Sequence, residues 1–193
     1  MDVETTGGSF GRGHRVVEVA VMCVRGDGRH LGEYATLVDP CRYIPRFITR
    51  LTGISNELVR GSPLFGDVAL ELRGMLDGRI FVAHNMWFDW GFLRGEFGLG
   101  DGAVHEPGML CTLRLARRLV PELRSRSLAS LTEHFGIENL ASHRAYGDTR
   151  ATAALLRLLL ERAAARGIES WADLQAMLNS RRRARPALVR GEA

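Results

Sequence analysis

The sequence predicts one α/β domain in which helices flank a mixed β-sheet. Runs of β-branched residues with the length of strands alternate with segments whose apolar residues recur at helical spacing. The chain has 193 residues, of which 46% are hydrophobic. That is enough for one well-buried core and too little for two domains of ordinary size. We therefore expect the predicted elements to share a single core.

An antiparallel strand pair is predicted near the start of the chain. Residues 14–24 are rich in valine and are bounded by glycines, which is typical of a strand. The segment Gly26-Asp27-Gly28 predicts a tight turn. Residues 31–38 then form the expected partner strand, which ends at Asp39-Pro40.

Helices dominate the rest of the predicted order. Apolar residues recur at helical spacing in six later segments: residues 64–76, 87–97, 112–119, 127–135, 148–166 and 170–178. A short apolar strand at residues 79–83 separates the first two. We expect this strand to deliver His84 and Asn85 to its carboxyl end, where α/β sheets usually place their sites.

Four acidic residues and one histidine, in three separate motifs, predict a site for two divalent cations. The motifs are Asp2-Val3-Glu4, Asp89 within residues 84–93, and His143 through Asp148. On an extended strand, Asp2 and Glu4 point to the same face, where they repel unless a cation lies between them. Four carboxylates without a nearby cysteine suit Mg²⁺ or Mn²⁺ better than zinc. His143, which precedes Asp148 by five residues, fits a base better than a ligand.

These motifs, in this order, resemble those of the DEDDh 3′–5′ exonucleases, the DnaQ-like family that includes the proofreading epsilon subunit of bacterial replicative polymerase. The resemblance covers residues 2–166 and implies an RNase H-like fold. It also implies removal of nucleotides from a 3′ end with two bound metal ions. By the resemblance, the metal ligands are Asp2, Glu4, Asp89 and Asp148. His143 would accept a proton from the attacking water, as a histidine with an ordinary pKa near 6.5 is able to do at pH 7.

The resemblance further implies substrate contacts near the motifs. The residues concerned are Thr5, Thr6, Gly7, Thr52, His84, Asn85 and Phe88. Several of them have a structural alternative. His84 is equally compatible with an internal hydrogen bond, Phe88 with the core, and Thr5 to Gly7 with an ordinary strand end.

The first strand is expected to be truncated at the N-terminus. Members of the family ordinarily carry several apolar residues before the first aspartate, whereas Met1 alone precedes Asp2 here. We expect the natural start to lie upstream. The alternative is a shortened strand that places a metal ligand beside a mobile terminus.

The positive charge of the chain is concentrated at its end. Residues 181–193 contain five arginines and one glutamate, which together equal the net charge of +4 of the whole chain. Basicity therefore does not indicate nucleic-acid binding by the catalytic part. We expect an exonuclease domain at 1–166, followed at 167–193 by a helix and an arginine-rich tail that could dock a DNA polymerase or repair protein.

Three well-separated cysteines and the absence of an apolar run of about 20 residues indicate reduced thiols and no membrane segment. We therefore expect a cytoplasmic protein. The expected activity is removal of nucleoside 5′-monophosphates from single-stranded or frayed DNA 3′ ends. Two alternatives stay open: a ribonuclease of the same superfamily, and a weakly active module that binds a polymerase or repair protein.

Overall fold

The computed structural model describes residues 1–99, 107–139 and 142–180. The arginine-rich tail, residues 181–193 of the expected docking segment, lies outside the described residues. Within them the chain forms strands β1 (Asp2–Thr5), β2 (Val16–Val24), β3 (His30–Leu37), β4 (Phe81–Ala83) and β5 (Met109–Cys111). A short 3₁₀ helix at Phe10–Arg12 lies between β1 and β2.

The strands form a mixed arrangement, as predicted. β1, β2 and β3 are antiparallel neighbours, with Glu4 opposite Glu18 in the β1–β2 register. β4 and β5 pair in parallel. A hydrogen bond of 2.9 Å from the Met1 nitrogen to the Val82 carbonyl oxygen joins β1 to β4. β1 therefore lies between β2 and β4, in the middle of the fold. β1 has four residues against the nine of β2.

Seven α-helices surround the strands in the described residues. They are α1 (Arg46–Thr52), α2 (Phe65–Leu76), α3 (Trp87–Gly98), α4 (Thr112–Leu119), α5 (Leu128–Phe135), α6 (Ala145–Ala164) and α7 (Trp171–Asn179). α6 begins three residues before the predicted start. Because Arg144 takes the N-cap position, Asp148 lies in the first turn of the helix.

The sequence did not predict α1 or β5. α1 has seven residues and buries only Ile48 and Thr52. β5 has three residues. Elements this short do not repeat the apolar pattern often enough to be recognised from the sequence.

Helices cover both faces of the sheet, and β1 contributes to each. One core cluster packs the sheet against α2 and α3, and includes Val3, Val19, Leu72 and Phe92. A second cluster lies among α4, α5, α6 and α7, and includes Leu115, Leu131, Leu155 and Leu174. Because side chains alternate along a strand, Val3 enters the first cluster while Asp2 and Glu4 point toward α6.

No helix among the described residues combines the length and the apolar character that crossing a membrane requires.

Candidate active site

Three acids from the two ends of the chain meet at one point. Carboxylate oxygens of Asp2, Glu4 and Asp148 lie within 4.8 Å of one another. Asp2 and Glu4 come from the same face of β1, and Asp148 comes from the first turn of α6. The structure therefore brings together the first and third sequence motifs.

Asp89, in the first turn of α3, lies against β1 beside this group. Its side chain is 2% exposed, and one carboxylate oxygen accepts a hydrogen bond of 3.1 Å from the Val3 backbone N–H. Val3 is the residue between the two acids of β1. Asp89 lies outside the three-acid group, yet its charge raises the pKa of both Asp2 and Glu4. All four predicted metal ligands are thus neighbours.

Two hydrogen bonds fix the carboxylate of Asp148. The Asn139 side-chain amide donates to one oxygen at 2.7 Å, and the His143 backbone N–H donates to the other at 3.1 Å. Asn139 was not identified from the sequence, because a single asparagine nine residues before an acid carries no recognisable signal. Its side-chain amide orients the Asp148 carboxylate.

The crowded acids hold protons more tightly than acids in water. Burial raises the pKa of Glu4 to about 8, and the negative charges of Asp148 and Glu18 add to the effect. Burial raises the pKa of Asp89 to about 7. For Asp2, burial and then the charge of Asp89 raise the pKa well above its ordinary value. A cation among these oxygens would reverse the shifts, because it favours the charged form of each acid.

The donor set fits a hard divalent cation. Its candidate ligands are carboxylate oxygens, and the cysteines of the chain lie elsewhere, two of them buried and one exposed. Oxygen ligands of this kind are those that Mg²⁺ and Mn²⁺ prefer. The residues present could therefore hold divalent metal between β1, α3 and α6.

His143 lies exposed at the end of the loop that leads into α6. Its backbone has a φ of 62°, a left-handed conformation that residues with a side chain seldom adopt. The neighbouring Arg144 donates three hydrogen bonds to Glu18 of β2, two from Nε at 3.0 and 3.1 Å and one from Nη2 at 2.6 Å. The same glutamate accepts a 2.8 Å hydrogen bond from the Ala145 N–H. This pairing holds the strained loop and keeps His143 beside Asp148.

The three residues after Glu4 are buried, and the two threonine hydroxyls among them form hydrogen bonds inside the protein. The Thr5 hydroxyl donates to the Gly7 carbonyl oxygen at 2.7 Å, and the Thr6 hydroxyl accepts from the Arg15 N–H at 3.0 Å. A methyl group on Gly7 would lie 2.3 Å from the ring of His14, so only glycine fits without movement of that ring. The two hydroxyls therefore shape the loop, and glycine allows the close approach of His14.

Two further residues that were predicted to contact the substrate, Thr52 and His84, use their polar atoms in hydrogen bonds within the protein. The Thr52 hydroxyl donates to the Ile48 carbonyl oxygen at 3.0 Å and accepts from the Ile54 N–H at 3.1 Å. The ring nitrogens of His84 lie 2.9 Å from the Thr112 hydroxyl and 3.0 Å from the Arg126 carbonyl oxygen. Burial lowers the pKa of His84. A neutral ring that donates to the carbonyl and accepts from the hydroxyl satisfies both contacts. For His84 this is the structural alternative considered from the sequence.

Asn85 and Phe88 lie beyond the carboxyl end of β4, as predicted. Asn85 is exposed and has a φ of 69°, a conformation that asparagine tolerates better than most residues. Phe88 is half-buried, and its ring lies 5.1 Å from that of Phe92. Asn85 is therefore accessible to a ligand, while part of the Phe88 side chain packs against the first core cluster.

A buried glutamate that the sequence did not reveal ties α3 to the loop after β1. Glu96 accepts from Arg15 at 2.8 Å and 2.5 Å, and from the Val16 N–H at 3.0 Å. α3 also carries Asp89. The contacts of Glu96 thus hold α3, which carries Asp89, against the start of β2. β2 in turn pairs with β1, which carries Asp2 and Glu4.

Comparisons with known proteins show the family of the chain. Residues 1–156 match the sequence profile of the RNase T family, which is described as exonuclease. The match spans most of the 193 residues, so the chain belongs to the RNase T family of exonucleases. The resemblance to DnaQ-like exonucleases that the three motifs indicated is confirmed.

Two relatives carry names that describe nucleases. A Mycobacterium tuberculosis (strain CDC 1551 / Oshkosh) protein, provisionally named a bifunctional exonuclease/endonuclease, is 38% identical over 185 residues. The match covers 92% of this chain and 28% of that protein. The 3′-5′ exonuclease DinG of Bacillus subtilis (strain 168) is 33% identical over 162 residues, which cover 84% of this chain and 17% of DinG. The chain thus spans less than a third of the length of either relative.

A solved structure shares the fold over almost the whole chain. Exonuclease X, determined in complex with 5′ overhanging duplex DNA, gives a TM-score of 0.71 at 27% sequence identity. The superposition covers 92% of this chain and 96% of Exonuclease X. The prediction of an RNase H-like fold is therefore confirmed.

Proposed function

We propose that this chain is a metal-dependent 3′–5′ exonuclease that removes nucleoside 5′-monophosphates from DNA. The observation that carries the proposal is the convergence of Asp2, Glu4 and Asp148 within 4.8 Å, with Asp89 against the same strand. Membership of the RNase T family and the name of DinG support it.

The four acids would hold two Mg²⁺ or Mn²⁺ ions. Metal ions in such a pair activate water and stabilise charge on the leaving oxygen. His143 accepts the proton of the attacking water, since a neutral imidazole is available near pH 7. Arg144 and Glu18 keep the histidine loop in place during this transfer, and Asn139 keeps the Asp148 carboxylate turned toward the other acids.

The substrate that we propose is a single-stranded or frayed DNA 3′ end. The DNA complex of Exonuclease X supports this choice. The exposed Asn85 and the backbone of the Thr5–Gly7 segment are candidate contacts for the terminal nucleotide, with Phe88 beside them. RNA is the second candidate substrate, and an enzyme that accepts it must tolerate the 2′-hydroxyl.

Matched oligonucleotides test the proposal. Single-stranded DNA and RNA of one sequence, labelled at the 5′ end, are incubated with the purified chain and Mg²⁺. We expect a ladder that shortens progressively from the 3′ end of the DNA and disappears with a chelator. The variant Asp2→Asn is the matched control, because it removes one ligand charge and keeps the size of the side chain. Release of the labelled 5′ nucleotide first, or cleavage unchanged by the chelator, would contradict the proposal.

The segment at 167–193 is proposed as a separate docking element for a DNA polymerase or repair protein, following an exonuclease domain at 1–166. In its described part, α7 buries Leu174 and Leu178 in the second core cluster, while Trp171 is 37% exposed. The variant Trp171→Ala should therefore keep full exonuclease activity and weaken binding to such a partner. Equal binding by both proteins would remove Trp171 from this role.

A further inference from the structure

The helix α1 has one buried side, which fixes its position in the molecule. Ile44, Ile48 and Ile54 pack with Val17 of β2 in a small separate core cluster. The Asn56 side chain secures the turn before the helix, because it accepts from the Ile44 N–H at 2.8 Å and donates to the Ile44 carbonyl oxygen at 3.1 Å. The outward side of α1 is thus held in a defined orientation.

That outward side combines exposed apolar and basic side chains. Tyr43 is 65% exposed, Phe47 56% and Leu51 53%. Arg42, Arg46 and Arg50 are exposed beside them. Within α1, residues four apart lie on the same face, so Arg46 and Arg50 form one row and Phe47 and Leu51 the next. We call these six residues the α1 face.

The arginines of the α1 face are available to an outside partner. Within the described part of the chain, no hydrogen bond or ion pair engages the guanidinium groups of Arg42, Arg46 or Arg50. Residues 40–56 include no aspartate or glutamate. The face therefore presents uncompensated positive charge interleaved with apolar and aromatic surface.

The α1 face begins beside the loop that joins β1 to β2. Thr5, at the end of β1, pairs with Val16, and the next residue of β2, Val17, packs against α1. A methyl group on Gly13, in the loop between β1 and β2, would lie 3.4 Å from Nη1 of Arg42. Arg42 thus lies against the loop that follows the first two acids, and the rest of the α1 face follows it in the chain.

We propose that the α1 face binds the single strand of the substrate behind its terminal nucleotides. The arginines would contact phosphates, while Tyr43 and Phe47 would stack on bases. A positively charged track with interleaved aromatic side chains is the arrangement by which proteins hold single-stranded nucleic acid without reading its sequence. The proposal rests on the proposed function and adds to it the surface that holds the remainder of the strand.

Charge complementarity favours nucleic acid over a protein partner. Protein surfaces that bind nucleic acid are much more positively charged than those that bind another protein. On the α1 face the three arginines lie directly beside the apolar side chains, and no acid in residues 40–56 offsets them. A polyanion with flat apolar bases matches both kinds of side chain at once.

Two substrates of different length test the proposal. A dinucleotide would reach only the acidic site, whereas a long oligothymidine would also reach the α1 face. For the double variant Arg46→Ala with Arg50→Ala, we expect KM for the long strand to rise roughly tenfold while kcat is retained, because neither alanine can bind a phosphate. Hydrolysis of the dinucleotide should not change. The salt dependence of binding should also weaken, by about 0.7 in the logarithmic slope for each single-strand phosphate that is no longer neutralised.

Matched variants separate direct binding of the strand from damage to the fold. Arg29→Ala removes an exposed arginine in the turn between β2 and β3, at the far end of β2, and should change nothing. Phe47→Ala should weaken long-strand binding, while Phe47→Tyr should restore it, because tyrosine keeps a stacking ring. Unchanged KM for the long strand in the double arginine variant would overturn the proposal. An equal reduction of activity on both substrates would overturn it too.

Failure of strand binding by the α1 face can be distinguished from failure of the proposed exonuclease activity. If the unmodified chain cleaves neither substrate, the proposed activity fails, and the α1 face is then judged by binding alone. Fluorescence anisotropy of labelled oligothymidine in the presence of a chelator measures that binding. Weaker binding by the double variant than by Arg29→Ala supports the α1 face, and equal binding rejects it.

Discussion

Glu18 and Arg144 form an ion pair that joins β2 to the N-cap of α6, with 2.6 Å between Oε1 and Nη2. The Glu18 side chain is 7% exposed, and it also accepts the N–H of Ala145. Glu18 lies opposite Glu4 in the sheet, and Arg144 follows His143 in the chain. One buried glutamate thus sets the distance between the acids of β1 and the proposed base.

Removal of this ion pair should affect both stability and turnover. The variant Glu18→Gln leaves weaker hydrogen bonds to Arg144 and Ala145, so we expect the free energy of unfolding to fall by about 1–3 kcal/mol. We also expect a lower kcat with little change in KM, since the substrate surfaces are untouched. Urea denaturation and steady-state kinetics measure the two effects.

An exposed ion pair on α6 provides the control for that variant. Arg157 and Glu161 pair across one helical turn, with side chains 50% and 55% exposed. Exposed pairs of this type contribute about 0.3–0.5 kcal/mol, so Glu161→Gln should barely change stability. Equal effects of the two glutamine variants would show that the Glu18 pair has no special role.

Without metal, the protein should lose stability as the pH rises. The pKa of Glu4 is raised from its ordinary 4.5 to about 8, and that of Asp89 from 3.8 to about 7. Between the ordinary and the raised values the folded protein binds more protons than the unfolded chain. The free energy of unfolding therefore falls as the pH increases through that window. Thermal unfolding with a chelator, from pH 5 to pH 8, measures the trend.

Divalent metal should reverse this pH dependence. Bound Mg²⁺ or Mn²⁺ stabilises the charged acids and competes with protons, so its effect on Tm should grow as the pH rises. The variant Glu4→Gln removes the group with the raised pKa of about 8, and its metal-free Tm should vary less with pH. A steep metal-free pH dependence that survives in Glu4→Gln would locate its origin elsewhere.

Replacement of the proposed base should lower turnover while metal still binds. His143→Ala is expected to reduce kcat by about 10²- to 10⁴-fold, the usual contribution of a general base. The backbone N–H of residue 143, which bonds to Asp148, is kept in the alanine variant. Mn²⁺ affinity by calorimetry should therefore change little. Unchanged cleavage would remove His143 from the assignment, and a matching decrease in metal affinity would make it a ligand instead.

Asn139 should act on the metal through Asp148. Because its amide orients this ligand at 2.7 Å, Asn139→Ala should weaken Mn²⁺ binding by about 10- to 100-fold, the typical cost of removing such a partner. Asn179→Ala, in an exposed asparagine of α7, is the matched control. If both variants bind Mn²⁺ as well as the unmodified chain, Asp148 is oriented without help from Asn139.

The local pattern of the sequence was enough to predict the strand pair, most of the helices and the side of β1 on which Asp2 and Glu4 lie. Alternation along a strand and repetition along a helix are properties of consecutive residues, so they can be recognised without any partner. The four acids were predicted to be metal ligands because the three motifs together resembled a family. The substrate contacts were predicted less sharply, since residue type alone did not tell whether Thr52 and His84 used their polar atoms internally.

The sequence by itself determined the α/β class and the chemistry of the site, because residue type and local spacing fix both. Only the tertiary structure decided which groups hold that site in place: Glu18 for the histidine loop, Glu96 for α3 and Asn139 for Asp148. Glu18 bonds to Ala145, 127 positions away, and Glu96 to Arg15, 81 positions away. Such pairs form when the sheet and helices pack, and no pattern of neighbouring residues predicts them. For the same reason the α1 face became visible only after the buried side of α1 was known.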